Sequence, residues 1–148
     1  MTVPTLSAAK YLCEASEWSL SNLKLQKLLY ISHMMHLGRT GTPLIDGHFE
    51  AWDYGPVEPS LYHHVKAFGR NEIGPVFHTV APVTDPVAKD VMERTFQSLR
   101  NMTPGQLVGV THWDQGAWAQ HYRPDTRGAV IPNEAILEEY ARRLKSGS

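Results

Sequence analysis

Apolar residues recur along this chain at two spacings, and the changes between them mark its elements. From Leu6 to about Ala15, apolar Leu6, Ala9, Leu12 and Cys13 fall on one side of a helix. The next segment carries the clearest pattern. Leu25, Leu28, Leu29, Ser32 and Met35 keep helical spacing behind a cap at Ser21 or Asn22, and Gly38 with the following "RTGTP" marks the stop. At 44–54 the period shortens: "LIDGHFEAWDY" reads as two short apolar-aromatic pieces about a turn at Asp46-Gly47, a hairpin signal. Pro59 suits the first position of a helix that buries Leu61, Val65 and Phe68 and ends at Gly69. The stretch "RNEIGPVFHTVAPVTDP" sets Gly/Pro breaks around β-prone "VFHTV" and predicts a loop with a short strand. Asp85-Pro86 opens a helix with the stripe Val87, Val91, Met92, Thr95, Phe96 and Leu99. Thr103-Pro104-Gly105-Gln106 has the cap, proline and glutamine of a capping box, and a short helix follows to about His112. "HWDQGAWAQHYRPDTRG" reads as loop and broken helix, and Pro132 opens a last helix lined by Ile136, Leu137, Tyr140, Ala141 and Leu144. The expected class is mainly α with a small β-hairpin element (α+β), a compact single-domain helical fold over 1–148 with ends open to disorder.

Composition adds little to this picture and removes several functions from it. A chain of 148 residues with 42% hydrophobic and 20% charged content suits a soluble globular protein with one core. A net charge of −1 lacks the general attraction for phosphate backbones or anionic membranes that nucleic-acid and lipid binders carry. A local basic patch stays open, because Lys24, Lys27, His33 and His36 cluster in sequence. The single cysteine, Cys13, excludes an internal disulfide and a CxxC motif, and its apolar-periodic setting fits a buried side chain better than a nucleophile. No apolar run approaches the roughly 20 residues that cross a bilayer. "MTVPTLSAAKY" lacks the basic start and apolar core of a signal peptide, so the expected compartment is the cytoplasm.

Catalytic and metal chemistry find candidates but no motif. His33 and His36 could share a helix face, but no carboxylate or cysteine accompanies them at ligand spacing. Adjacent His63 and His64 point about 100° apart on a helix, so no metal and no cofactor is expected. His112, Asp114 and His121 offer acid–base groups, and Thr111 or Ser60 a nucleophile, without a GxSxG elbow or paired carboxylates. "GRTGTPLIDG" lacks the GK[ST] ending of a phosphate loop. Trp113, Trp118, Tyr122 and Arg123 could stack bases, but the charge balance and the lack of an RNA-module motif argue against nucleic acid.

One stretch stands apart, "FEAWDYGPVEPSLYHH" at 49–64. A residue before proline is pushed out of the α region, so Gly55 and Glu58 are both held extended or turned. The loop is therefore stiff and loses little entropy on binding. Trp52 is expected to close the core, with Asp53, Tyr54 and Glu58 displayed.

Residues 21–66 resemble the Panacea domain family, the SocA-like antitoxins also known as phage-associated proteins. The likeness lies in the "LKLQKLLY" helix, the "G-x-PL" turn at Gly41 to Leu44 and "FEAW-x-YGPV-x-P-x-LY", and continues in "LVGVTHWDQGAW" at 107–118 and "IPNEAI" at 131–136. The family often has proline before the later tryptophan, where this chain has Ala117 before Trp118. The resemblance implies a non-enzymatic antitoxin of a bacterial or phage toxin–antitoxin pair. Such a domain neutralises a cognate protein toxin by direct contact, or in some branches delivers it to an ATP-dependent protease. A DNA-binding autoregulator and a metal-dependent hydrolase are the rival readings. With the stiff loop, the resemblance makes Asp53, Tyr54, Gly55, Pro56, Glu58 and Tyr62 the candidate toxin-binding residues.

Overall fold

The computed structural model describes residues 2–126 and 128–147; Met1, Arg127 and Ser148, and with them part of the 112–128 loop and of the ends expected to be disordered, lie outside the described residues. Two helices, α1 (Thr5–Ala15) and α2 (Asn22–Thr40), precede a hairpin of β1 (Phe49–Trp52) and β2 (Gly55–Val57). Then come α3 (Pro59–Val65), which runs into a 3₁₀ turn, and α4 (Pro86–Leu99), α5 (Pro104–Thr111), α6 (Ala117–His121), β3 (Ala129–Ile131) and α7 (Asn133–Lys145). The protein is mainly α with a small antiparallel sheet.

Helix α2 is the axis on which α1, α3, α4, α5, α7 and β2 all pack. Leu25, Leu28 and Leu29 are fully buried, as their spacing predicts, but the expected single stripe is too narrow. Tyr30, Met34 and Leu37 are buried too, and so are polar Gln26, Lys27, Ser32, His33 and His36, because neighbours enclose the helix on every side. Ser21 caps its start, accepting from the Lys24 amide at 3.3 Å. Gly38 does not end it. A Cβ there would lie 2.3 Å from the Tyr140 ring, so this glycine lets α7 approach, and the stop is Gly41, whose φ of 79° suits glycine.

The sheet order is β2-β1-β3, with Trp52 opposite Gly55 and Phe49 opposite Ile131. The hairpin therefore turns at Asp53-Tyr54, not at the expected Asp46-Gly47. Asp46 instead ties down the start of the chain: its carboxylate accepts from the Thr5 amide at 3.2 Å, and Val3 bridges Ile45. Pro56 sits on an edge strand, where a missing N–H costs no ladder bond. No strand forms at 76–80; Phe77 is buried, stacked against Trp18 and His64, with Val76 and Val80 packed beside the core.

Asp85 caps α4 and Thr103 and Gln106 form the capping box of α5. Val87 is exposed, one position off the buried face of Ala88, Val91, Met92 and Thr95. Helix α7 keeps Ile136 and Tyr140 of its expected stripe against the core, but Ala135 and Glu139 face inward with them, while Leu137 and Leu144 face solvent. Cys13 is buried, and burial pushes its thiol up to about 12. Among the described residues no helix is long and apolar enough to cross a membrane.

Candidate partner-binding surface

The β1–β2 turn projects two side chains, exposed Asp53 and Tyr54, the latter with 71% of its surface open. Local sequence explains the turn's shape. Gly55 has φ 113°, a region where side-chain-bearing residues are strained, and a Cβ there would come 2.8 Å from the Lys27 amine. Pro56 then fixes the return strand.

Contacts from distant elements hold the turn on three sides. The Trp118 indole on α6 donates to the Trp52 carbonyl at 2.7 Å, and Tyr122 Oη donates to Asp53 Oδ1 at 2.6 Å. These two rings belong to a stack: His112 lies 3.9 Å from Trp118 at an interplanar angle of 4°, and Trp118 lies 4.7 Å from Tyr122. On the other flank Tyr62 meets the half-buried Trp52 ring edge-on at 4.9 Å. From below, Lys27 Nζ donates to the Pro56 carbonyl at 3.2 Å, and the Gln26 side chain exchanges two hydrogen bonds with the Glu58 backbone.

Helix α6 is positioned in turn by Glu139, a carboxylate with 0% exposure. It accepts from Tyr30 Oη at 2.6 Å and from the Ala117 amide at 3.0 Å, and Arg143 approaches it to 2.7 Å. Arg143 also donates to the Val110 carbonyl and lies over the Trp113 ring. Such a charge is tolerated inside because every neighbour answers it.

The structure brings together Asp53 and Tyr54 at the tip, with Tyr62 half-buried beside Trp52. Gly55, Pro56 and Glu58 lie beneath. Glu58 is not displayed as expected. Its carboxylate caps α3, accepting from the Leu61 amide at 3.1 Å and from Ser60 Oγ, so a helix start claims it. Trp52 anchors the hairpin as much through its carbonyl as through its ring. The loop reading missed Lys27, Gln26, Trp118, Tyr122 and Glu139. Only the pair Trp118 and Tyr122 carried a signal, as aromatics four residues apart; Trp118 lies on α6 and Tyr122 follows its last residue with extended backbone.

Other candidates are engaged in the fold. Thr111 Oγ1 donates back to the Leu107 and Val108 carbonyls, and Ser60 to Glu58. His33 accepts from the Ile45 amide and faces Asn133 Oδ1 at 2.9 Å, and His36 lies 2.8 Å from the Thr42 carbonyl. The basic cluster of Lys24, Lys27, His33 and His36 is no surface patch, because the last three are buried by packing around α2.

The family model described as Antitoxin SocA-like, Panacea domain matches residues 25–119, from α2 into α6 with the whole hairpin between. Antitoxin SocA of Caulobacter vibrioides (strain NA1000 / CB15N) is 38% identical over 109 residues, which take in 67% of this chain and 58% of that relative. No solved structure matches. The chain belongs to the SocA-like antitoxin, Panacea domain family.

Proposed function

We propose that this protein is an antitoxin that binds and masks a cognate protein toxin with the tip of its β1–β2 hairpin, and that it acts by binding alone. The carrying observation is Tyr54, 71% exposed on a turn that Trp118, Tyr122 and Lys27 hold in place. A large aromatic left in water on a stiff support is what an interface needs, because little ordering entropy is lost on association. The name of the relative, an antitoxin, supports the class of partner. Asp53, Tyr54 and Tyr62 make the contact, and Gly55, Pro56 and Glu58 support it from behind. The chain works in the cytoplasm as a single module. Helices α1 and α7 lie outside the matched segment but pack on the same α2, which favours one unit.

The test pairs two variants, using the product of the adjacent open reading frame as toxin. Tyr54→Ala is expected to weaken binding roughly thirtyfold and abolish rescue of growth, with an unchanged melting temperature. Trp52→Ala is expected to lower the melting temperature, because the hairpin loses its anchor. Wild-type affinity for Tyr54→Ala, or unfolding as severe as that of Trp52→Ala, overturns the reading. Rescue that persists in a host stripped of its ATP-dependent proteases separates masking from delivery.

A further inference from the structure

The Asp53 carboxylate is aimed before any partner arrives. Tyr122 Oη holds Oδ1 at 2.6 Å, and that bond keeps the phenol above its usual proton affinity. Among the described residues Oδ2 meets no donor. Tyr122 is the outer ring of the stack that Trp118 and His112 continue inward, and Trp118 fixes the carbonyl just before Asp53. The carboxylate is thus held at the hydroxyl edge of the outermost ring of the stack, with the Tyr54 ring as its exposed neighbour in sequence. The nearest cation in sequence to Tyr122 does not compete for it. Arg123 turns its guanidinium to the Gln120 and Tyr122 carbonyls, at 3.3 and 2.8 Å.

An oriented carboxylate flanked by rings complements one kind of side chain. A guanidinium is planar, bonds a carboxylate through paired N–H groups, and stacks on aromatic faces because it is weakly hydrated. A lysine ammonium meets the same carboxylate only as a hydrated point charge. An exposed ion pair alone is worth little, so the rings supply the selectivity. We infer that the hairpin tip is a receptor for an arginine side chain of the toxin, with Asp53 accepting its N–H groups and Tyr122 and Tyr54 offering their faces. The inference rests on the reading that the hairpin faces the toxin.

The experiment uses the full chain and two probes, N-acetylargininamide and N-acetyllysinamide, followed by amide and ring NMR shifts. The arginine probe is expected to move the signals of Asp53, Tyr54 and Tyr122, the lysine probe to move them less, and Asp53→Asn to abolish the response. In parallel, Asp53→Asn is expected to weaken toxin binding about tenfold and to flatten its salt dependence. If this variant lowers the melting temperature, arginine-to-lysine replacements across the toxin answer on the unaltered antitoxin: one of them must weaken binding. Equal shifts from both probes, no Asp53-dependent shift, or no sensitive toxin arginine overturns the arginine receptor. Tyr54→Ala against the toxin judges the hairpin reading separately, since it can weaken binding when every arginine test fails.

Discussion

Lys27 has 0% exposure and donates to the Pro56 carbonyl, so its ammonium form brings three donors to a place built for fewer. Burial lowers its pKa from 10.5 to about 7. The half-buried His112 imidazole is also lowered, first by burial and then by the Lys27 charge. Between about 7 and 10.5 the unfolded lysine holds a proton that the native one has lost, so stability rises with pH across that window. Below it both states are charged and the native state bears the whole cost of the buried cation. Lys27→Met is therefore expected to be more stable than the wild type at pH 7, with the difference closing as pH rises towards 10. Denaturant midpoints at several pH values check this, and parallel curves for the two proteins would sink it. His33 acts in the same direction lower down. Burial takes it to about 4, so stability falls as the unfolded imidazole, with its value of 6.5, takes up protons below that pH.

Helices α2 and α7 give opposite results for the same residue type. Leu28 on α2 is fully buried and Leu144 on α7 is 64% exposed. Leu28→Ala is expected to cost about 2–5 kcal/mol and Leu144→Ala less than about 0.5 kcal/mol, both read by chemical denaturation. A loss below about 1 kcal/mol for Leu28→Ala would mean that the α2 face is wrongly assigned. Counting apolar positions made both leucines core residues. It succeeded on α2 because a helix packed on all sides buries whatever face is chosen. On α7 it held for Ile136 and failed for Leu137 and Leu144, because Glu139, bonded to Tyr30 and Arg143, fixes which face turns inward, and the Tyr30 partnership spans the chain. Caps at Ser21, Asp85 and Thr103 were legible because capping is settled within a few residues. The hairpin turn was not. Asp46-Gly47 has the stronger local turn composition, but Gly55 and the distant donors Trp118 and Tyr122 select Asp53-Tyr54. Strand β3, with three residues, is too short to carry a period. At the candidate site, proline restraints and aromatic content pointed to Asp53 and Tyr54. The same reasoning displayed Glu58 because it weighed charge before the cap that a residue ahead of a helix-opening proline supplies.

For the molecule as a whole, Glu139 joins what the chain order separates. Through Tyr30 it grips α2, through the Ala117 amide it sets α6, and α6 carries the indole that holds the hairpin. Glu139→Ala would leave Arg143 and the Tyr30 hydroxyl without their acceptor, an expected loss of about 3–5 kcal/mol. Glu139→Gln should cost less, because it keeps oxygen and shape. Thermal melts give the stabilities, and the NMR signal of the Trp118 indole N–H reports whether the hairpin loosens with α7; melts that match the wild type for Glu139→Ala would refute the coupling. The same bond also sets a schedule. Tyr30 and Glu139 are 109 residues apart, and at about 5–20 residues per second a ribosome needs on the order of 5–20 s to add the second after the first. Throughout that interval the nascent α2 exists without the helix that covers it, so competence arrives with α7 rather than with the hairpin. A chain stalled before residue 133 should be cut readily by protease even though its hairpin has been made, and freshly transcribed message should yield working protein only after that delay.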